Sequence, residues 1–427
     1  MGEDMKKTIV IVYDKAVISG GAAKIAIQSA IELAKNPNNN VIYFSADAEI
    51  DECLQSNDAI KVVCIDTPHI AGNRNKLKAC CYGIWNRQAK VELVKILTGL
   101  DPNHTVVHIH GWSKALSVSV VAVTQKMKFP ILITLHDYFS VCPNGGFFDY
   151  RKKELCQLKP MSWKCIACNC DKRSYFQKIW RCARQIVQNR YVQNSKDINF
   201  AYISNRILNL SQPYMQSTEF HYLRNPIDLS DQMVMTHHCS NIFLCVGRVS
   251  EEKGVEDFCK AITELQKCAD IRGQVVGVGP LLDTLKQRYP QIEFVGWVNS
   301  AQLTKYYQVA RALIFPSICN EGSPLTIPEA MSAGLPCIVT DCTSATETIR
   351  DGVNGLIYEA GNVEALKQKI QASLEDTSID QFQRNIKDSF KCADYSYAAY
   401  VVRVNRLYDD ILRKERKDEK GNQKVLT

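Results

Sequence analysis

The chain has 427 residues, 46% hydrophobic and 23% charged, with a formal charge of +7. That length calls for two domains, and that composition excludes disordered and fibrous classes. The longest apolar run, Leu116 to Thr124, is too short to cross a bilayer. Met1 to Lys7 is polar and runs straight into Thr8-Ile-Val-Ile-Val-Tyr13, so no signal peptide and a cytosolic location are expected.

In chain order, β-branched runs predict strands at 8–13, 41–45, 60–65, 104–109, 130–135 and 198–203. Apolar residues at helical spacing separate several of them, for example Ile25, Ile27, Ala30, Ile31 and Ala34. Continuous apolar strands alternating with helices predict parallel sheets covered on both faces. Residues 136–173, rich in Cys, Lys and aromatics, break the rhythm as an insertion. Residues 224–240 read as a connector, after which strands at 241–246, 274–278, 292–295, 312–315 and 336–339 begin a second series. The expected architecture is α/β, with two tandem doubly wound domains. The first spans 1–225 and the second 226–393, and 394–427 supplies a final helical pattern plus a polar tail.

Charge divides unevenly between the halves. Residues 1–225 carry 29 Lys+Arg against 18 Asp+Glu, whereas residues 226–427 carry 23 against 27. A basic half implies an anionic partner without choosing among lipid, membrane surface and nucleic acid.

Three motifs carry chemistry. In Val246-Gly247-Arg248-Val-Ser-Glu-Glu-Lys253-Gly254, a strand ends, Gly247 turns the backbone, and two cations precede a helix. That arrangement suits a diphosphate, though a solvated loop has the same look. Asn320-Glu321-Gly322-Ser323-Pro324-Leu325-Thr326-Ile-Pro-Glu329 places two carboxylates around a helix start whose unpaired N–H groups attract anions. The third is the cysteine cluster: six of 18 cysteines (Cys142, Cys156, Cys165, Cys168, Cys170, Cys182) fall within 41 residues. Cys165-x2-Cys168 has zinc half-site spacing, so a structural zinc on Cys142, Cys156, Cys165 and Cys168 is expected, against reduced, partly buried thiols.

The segment Glu321–Glu329 resembles the Glu-x7-Glu signature of family 4 glycosyltransferases, which are retaining enzymes of the GT-B fold; the resemblance implies two Rossmann-like domains facing a cleft, with the helix of 394–427 returning to the first domain. Gly20-Gly21 resembles the family's glycine-rich acceptor-side loop and Leu135-His136-Asp137 its His-Asp step. Arg248 and Lys253 match its Arg-x4-Lys pair, Phe294-Val-Gly296-Trp297-Val298 its base-contacting turn, and Thr348 to Leu356 the stretch closing the donor site. These landmarks run in order over most of the chain.

The resemblance implies that Arg248 and Lys253 hold the diphosphate of a UDP- or GDP-sugar, assisted by loop N–H groups from Ser323 to Thr326, without a metal for catalysis. It implies that Glu329 holds the ribose, the backbone near Trp297 the base, Glu321 the transferred sugar, and His136 the opposite wall. The acceptor would be a glycan or a polyprenyl-pyrophosphate-linked oligosaccharide in surface polysaccharide synthesis. Some bacterial members carry a cysteine-rich insertion at this point too.

From Arg74 to Lys95 six cations meet one acid, with Leu77, Cys81, Ile84, Trp85, Gln88, Val91 and Val94 at helical spacing. Such a helix either lies peripherally on an anionic membrane or packs its stripe on its own sheet. Competing functions are a nucleotide-sugar epimerase of the same fold, a dehydrogenase, and a zinc-containing nucleic-acid binder. Gly20-Gly21 lacks the Gly-x-Gly-x-x-Gly fingerprint of the dehydrogenase. No groove-reading element or stacking platform supports nucleic acid as a partner.

Overall fold

The computed structural model describes residues 6–70, 75–230 and 232–425; Arg74, where the basic stretch begins, lies outside them. A seven-stranded and a six-stranded parallel sheet carry the two domains. The first sheet is built from β1 (Lys7–Tyr13), β2 (Asn39–Ser45), β3 (Ile60–Cys64), β4 (Thr105–Gly111) and β5 (Ile131–Leu135). A small antiparallel hairpin of β6 (Phe148–Asp149) and β7 (Glu154–Leu155) intervenes, and β8 (Ile198–Tyr202) and β9 (Phe220–Tyr222) complete the sheet. Its order is β3-β2-β1-β4-β5-β8-β9. The second sheet holds β10 (Ile242–Val246), β11 (Arg272–Val276), β12 (Glu293–Gly296), β13 (Ala312–Phe315), β14 (Cys337–Thr340) and β15 (Gly355–Tyr358), in the order β12-β11-β10-β13-β14-β15.

Both sheets are covered on both faces, which is why their strands read as apolar runs without alternation. In β1, Val10 and Val12 enter one core cluster while Ile9 and Ile11 enter the cluster on the other face. The order reverses beside β1 and again beside β10. In such sheets the crevice outside the carboxyl ends at that reversal is the natural binding place.

The long helix Tyr397–Val425 leaves the second domain and packs on the first. Tyr400, Val404, Tyr408 and Ile411 join the core of β1 and β2. The Tyr400 hydroxyl meets Ser29 Oγ at 2.9 Å.

Two expectations change. The strand expected at 274–278 is Arg272–Val276; Gly277 has φ +145° and turns the chain away from the sheet. The basic stretch is two helices, Lys76–Ile84 and Arg87–Thr98, because Asn86 caps the second with its side chain. Asn86 is itself buried and bonds Ala115 O at 2.9 Å. Ala89, Leu93 and Leu97 then enter the domain core, whereas Leu77, Cys81, Gln88 and Val91 of the expected stripe are exposed, so the second helix packs on its own domain by a different face.

Candidate active site between the two sheets

The site begins where β10 ends. Gly247 turns the chain, Arg248 is exposed, and a single 3-10 turn, Glu251–Lys253, leads into the helix Val255–Leu265. Gly254 joins turn to helix at φ +62°, and a Cβ there would lie 2.0 Å from Pro316 O. Only glycine satisfies both the left-handed backbone and that approach. The close packing aims Lys253 at the loop after β13.

Lys253 Nζ forms a short ion pair with Glu321 Oε1, which also accepts from Ser317 Oγ at 2.6 Å. Burial works against the Lys253 charge, but the Glu321 and Cys319 side chains outweigh it and raise its pKa. The lysine is therefore firmly cationic. Arg248 makes no side-chain hydrogen bond or ion pair among the described residues.

A second carboxylate sits at the same helix start. Glu329 lies on the helix Thr326–Ser332 and accepts from the Tyr307 hydroxyl at 3.2 Å. Lys24 Nζ, from the helix Gly21–Ala34 of the first domain, approaches Glu329 Oε1 at 3.7 Å and Asp228 Oδ2 at 2.8 Å. Burial raises the Glu329 pKa, with Lys24 and Tyr307 acting against that rise. Between the carboxylates, Gly21 faces Leu325: a Cβ on Gly21 would lie 3.5 Å from Leu325 Cδ1. Thr326 Oγ1 is buried without a hydrogen-bond partner, an unused polar group at the start of this helix.

The opposite wall is made by His136, directly after β5. A Cβ on Gly322 would meet Ile207 Cδ1 at 2.4 Å and His136 O at 3.3 Å, so the two domains touch through this glycine. His136 Nε2 lies 2.9 Å from His110 Nδ1, and the rings stack with centroids 5.2 Å apart. His108, next on the same strand face, bonds Thr134 Oγ1 and the Tyr408 hydroxyl at 2.7 Å each. Burial pushes the His136 imidazole down to about 4 and the His108 imidazole to about 3, and holds His110 well below the usual range. All three rings are neutral at pH 7.

Other expected contacts stand apart from this cluster. Gly296 ends β12 at the sheet edge, Trp297 and Val298 follow it, and Trp297 is 73% exposed. Thr348, Arg350 and Asn354 line a ≈ 550 Å³ cleft together with Ser323 and Pro324. Gly20, with φ +152°, caps the start of the helix Gly21–Ala34.

The insertion leans over the cleft. Asn320 Nδ2 donates to Phe147 O at 3.1 Å, and Lys153 and Lys172 pair with Glu251 and Glu252 at 3.3 and 3.2 Å. Its metal expectation finds no support. Cys142, Cys156, Cys165, Cys168 and Cys170 do line one small cavity. However, among the described residues no group of three or more His, Cys, Asp or Glu side chains is arranged to hold a metal ion. The fully buried ammonium of Lys178 enters the cluster instead, 3.4 Å from Cys165 Sγ and 3.3 Å from Cys170 Sγ. Cys168 turns toward Asp149 Oδ2 at 3.5 Å. Two of these thiols thus hold a lysine, and the arrangement gives the expected zinc no support.

Sequence reasoning missed Lys24, Ser317, Tyr307 and His110. Only His110 left a signal, the alternation His108-Ile-His110 within a strand, one residue short of its carboxyl end.

Residues 240–376 match the family model described as Glycosyl transferases group 1. An Escherichia coli UDP-Gal:alpha-D-GlcNAc-diphosphoundecaprenol alpha-1,3-galactosyltransferase is 24% identical over 198 residues, 44% of this chain and 50% of its own. The chain thus spans about half the length of that relative. Sucrose-phosphate synthase from Thermosynechococcus elongatus superposes with a TM-score of 0.70 at 16% identity, covering 96% of this chain and 100% of its own. The Anabaena protein HepE in complex with UDP gives 0.63 at 13% identity, covering 95% and 100%. The chain has the GT-B fold, and its second sheet carries the sequence pattern of the group 1 glycosyl transferases.

Proposed function

We propose that this protein is a retaining glycosyltransferase, moving a sugar from a UDP- or GDP-sugar to a glycan or lipid-linked oligosaccharide. The observation that carries the reading is the pair of lysine–carboxylate contacts flanking one helix start, Lys253–Glu321 and Lys24–Glu329. Each carboxylate is an acceptor for hydroxyls, and Arg248 and Lys253 supply cations for the phosphates between them. The similarity to a diphosphoundecaprenol-sugar galactosyltransferase favours a lipid-linked acceptor.

In this reading the bond from the anomeric carbon to the diphosphate oxygen breaks while an acceptor oxygen bonds to the same face. The acceptor proton passes to the departing phosphate. Arg248, Lys253 and the N–H groups from Ser323 to Thr326 stabilise the charge that grows on the leaving group, through preorganised donors that need no rearrangement during reaction. Glu321 orients the sugar, Glu329 the ribose, the backbone at Gly296–Val298 the base, and neutral His136 the sugar from the opposite wall.

Calorimetry with UDP, GDP, ADP and NAD against wild type and Lys253→Ala tests the reading. Selective binding of one nucleoside diphosphate, weakened at least tenfold in the variant, is the expected result. No diphosphate binding, or binding indifferent to Lys253, refutes it.

A further inference from the structure

The helix Tyr175–Tyr191 is mounted with its polar face inward. Lys178, Cys182, Arg184, Gln185 and Gln188 are buried. The opposite side, at positions 176, 179, 183, 186 and 190, reads Phe, Ile, Ala, Ile and Arg, and all five are exposed. Phe176 is 75% exposed and Ile186 63%. A surface helix ordinarily does the reverse, with its apolar stripe against the core.

Two elements tied to this helix carry exposed apolar side chains of their own. Trp180 Nε1 donates to Cys80 O at 3.1 Å, fixing the helix to Lys76–Ile84, where Leu77 is 82% exposed. The Tyr175 hydroxyl donates to Ile166 O at 3.1 Å, fixing it to Trp163–Ala167, where Trp163 is 74% exposed. The charge around these apolar groups has one sign. Residues 159–190 contain eight Lys+Arg and one acid. That acid, Asp171, is fully buried and paired with Arg181 at 2.9 Å. Lys159, Lys164, Arg173 and Arg190 are exposed, while Lys172 pairs with Glu252 across the cleft.

We propose that this face is a docking surface for an anionic lipid bilayer, with Trp163, Phe176, Ile179 and Ile186 entering the headgroup boundary. Exposed apolar side chains ringed by cations, without an exposed acid in the segment, fit a surface that is apolar beneath and negative above. A protein partner of ordinary mixed charge offers no such match. No described helix is long and apolar enough to cross a membrane, so the attachment is peripheral. The proposal moves the membrane contact from the basic stretch Arg74 to Lys95, whose second helix buries Ala89, Leu93 and Leu97 in the core, to the insertion and the helix after it. It stands independently of the chemistry proposed for the cleft.

Flotation of the full chain with phosphatidylglycerol–phosphatidylcholine vesicles tests it, with pure phosphatidylcholine as control. Binding to the anionic vesicles only, weakening with salt, is expected. Phe176→Glu/Ile186→Glu should abolish it, and Arg190→Gln should weaken it about fivefold. Nucleotide binding by calorimetry should be unchanged in both, which shows them folded and separates this proposal from the cleft reading. Vesicle binding that is absent at low salt, or unaffected by the double variant, overturns the proposal. So does a self-association of wild type that the double variant removes, since the face then seats a second copy.

Discussion

His110 Nδ1 faces His136 Nε2 at 2.9 Å, while the remaining nitrogen of His110 is buried with no partner. An unpaired buried lone pair is better tolerated than an unpaired buried N–H. His110 therefore carries its proton on Nδ1 and donates it, which leaves His136 with its N–H on Nδ1. The ring proposed to face the sugar has its tautomer set by a residue one strand away. His108, His136 and no other titratable group bear on His110.

Nitrogen-15 NMR of histidine-labelled protein checks this assignment. His136 should show the Nδ1–H tautomer in wild type and the Nε2–H tautomer in His110→Asp, whose carboxylate can only accept. His110→Asn, which keeps a donor, should retain the wild-type signature. A wild-type Nε2–H signal at His136 contradicts the assignment.

Acid should destabilise the fold through the same histidines. In the unfolded chain these rings protonate near pH 6.5, whereas burial delays His136 to about 4 and His108 to about 3. The folded pKa is depressed, so stability is complete above about pH 6.5 and is lost as pH falls toward the folded values. For fully buried His108 the loss is on the order of 4 kcal/mol. Urea midpoints should fall between pH 7 and 4 in wild type and fall less steeply in His108→Gln. Parallel slopes would contradict this origin.

Lys253→Ala should cost stability as well as nucleotide affinity. It strips the cation from Glu321, a carboxylate only 16% exposed, at a cost of roughly 1–3 kcal/mol. The double variant Lys253→Ala/Glu321→Gln should recover part of that loss in urea denaturation. Additive losses would show that the pair is not coupled.

Gly254→Ala should disturb the site without touching a ligand. The added methyl meets Pro316 O, and φ +62° is costly for alanine. A loss of about 1–3 kcal/mol is expected, with a weakened diphosphate affinity because the Lys253 turn must shift. A variant binding as tightly as wild type would place Lys253 outside the diphosphate site.

The parallel sheets were readable because runs such as Thr8–Tyr13 and Ile242–Val246 are apolar on both faces, which only a strand covered twice requires. β9 and β15 escaped notice. Phe-His-Tyr is too short to show a period, and Gly355-Leu-Ile-Tyr follows a glycine-rich turn that reads as loop. The carboxylates at Glu321 and Glu329 stood out because their loop and helix are local in sequence. Lys24 did not, since its partner Asp228 is 204 residues away and nothing near Gly21 announces it. The cysteine spacing suggested a metal because spacing records the thiols alone. Lys178, eight residues beyond Cys170, enters that cavity only once the helix Tyr175–Tyr191 is mounted polar face inward.

The helix Tyr397–Val425 has a bearing on biosynthesis. Tyr400 and Tyr408 complete a core otherwise built from the first domain, bonding Ser29 and His108. During translation, therefore, the first sheet emerges early yet stays open along one face while the second domain is made. Its histidine row, including the ring that sets His136, acquires its last hydrogen-bond partner only when the second domain is already synthesised.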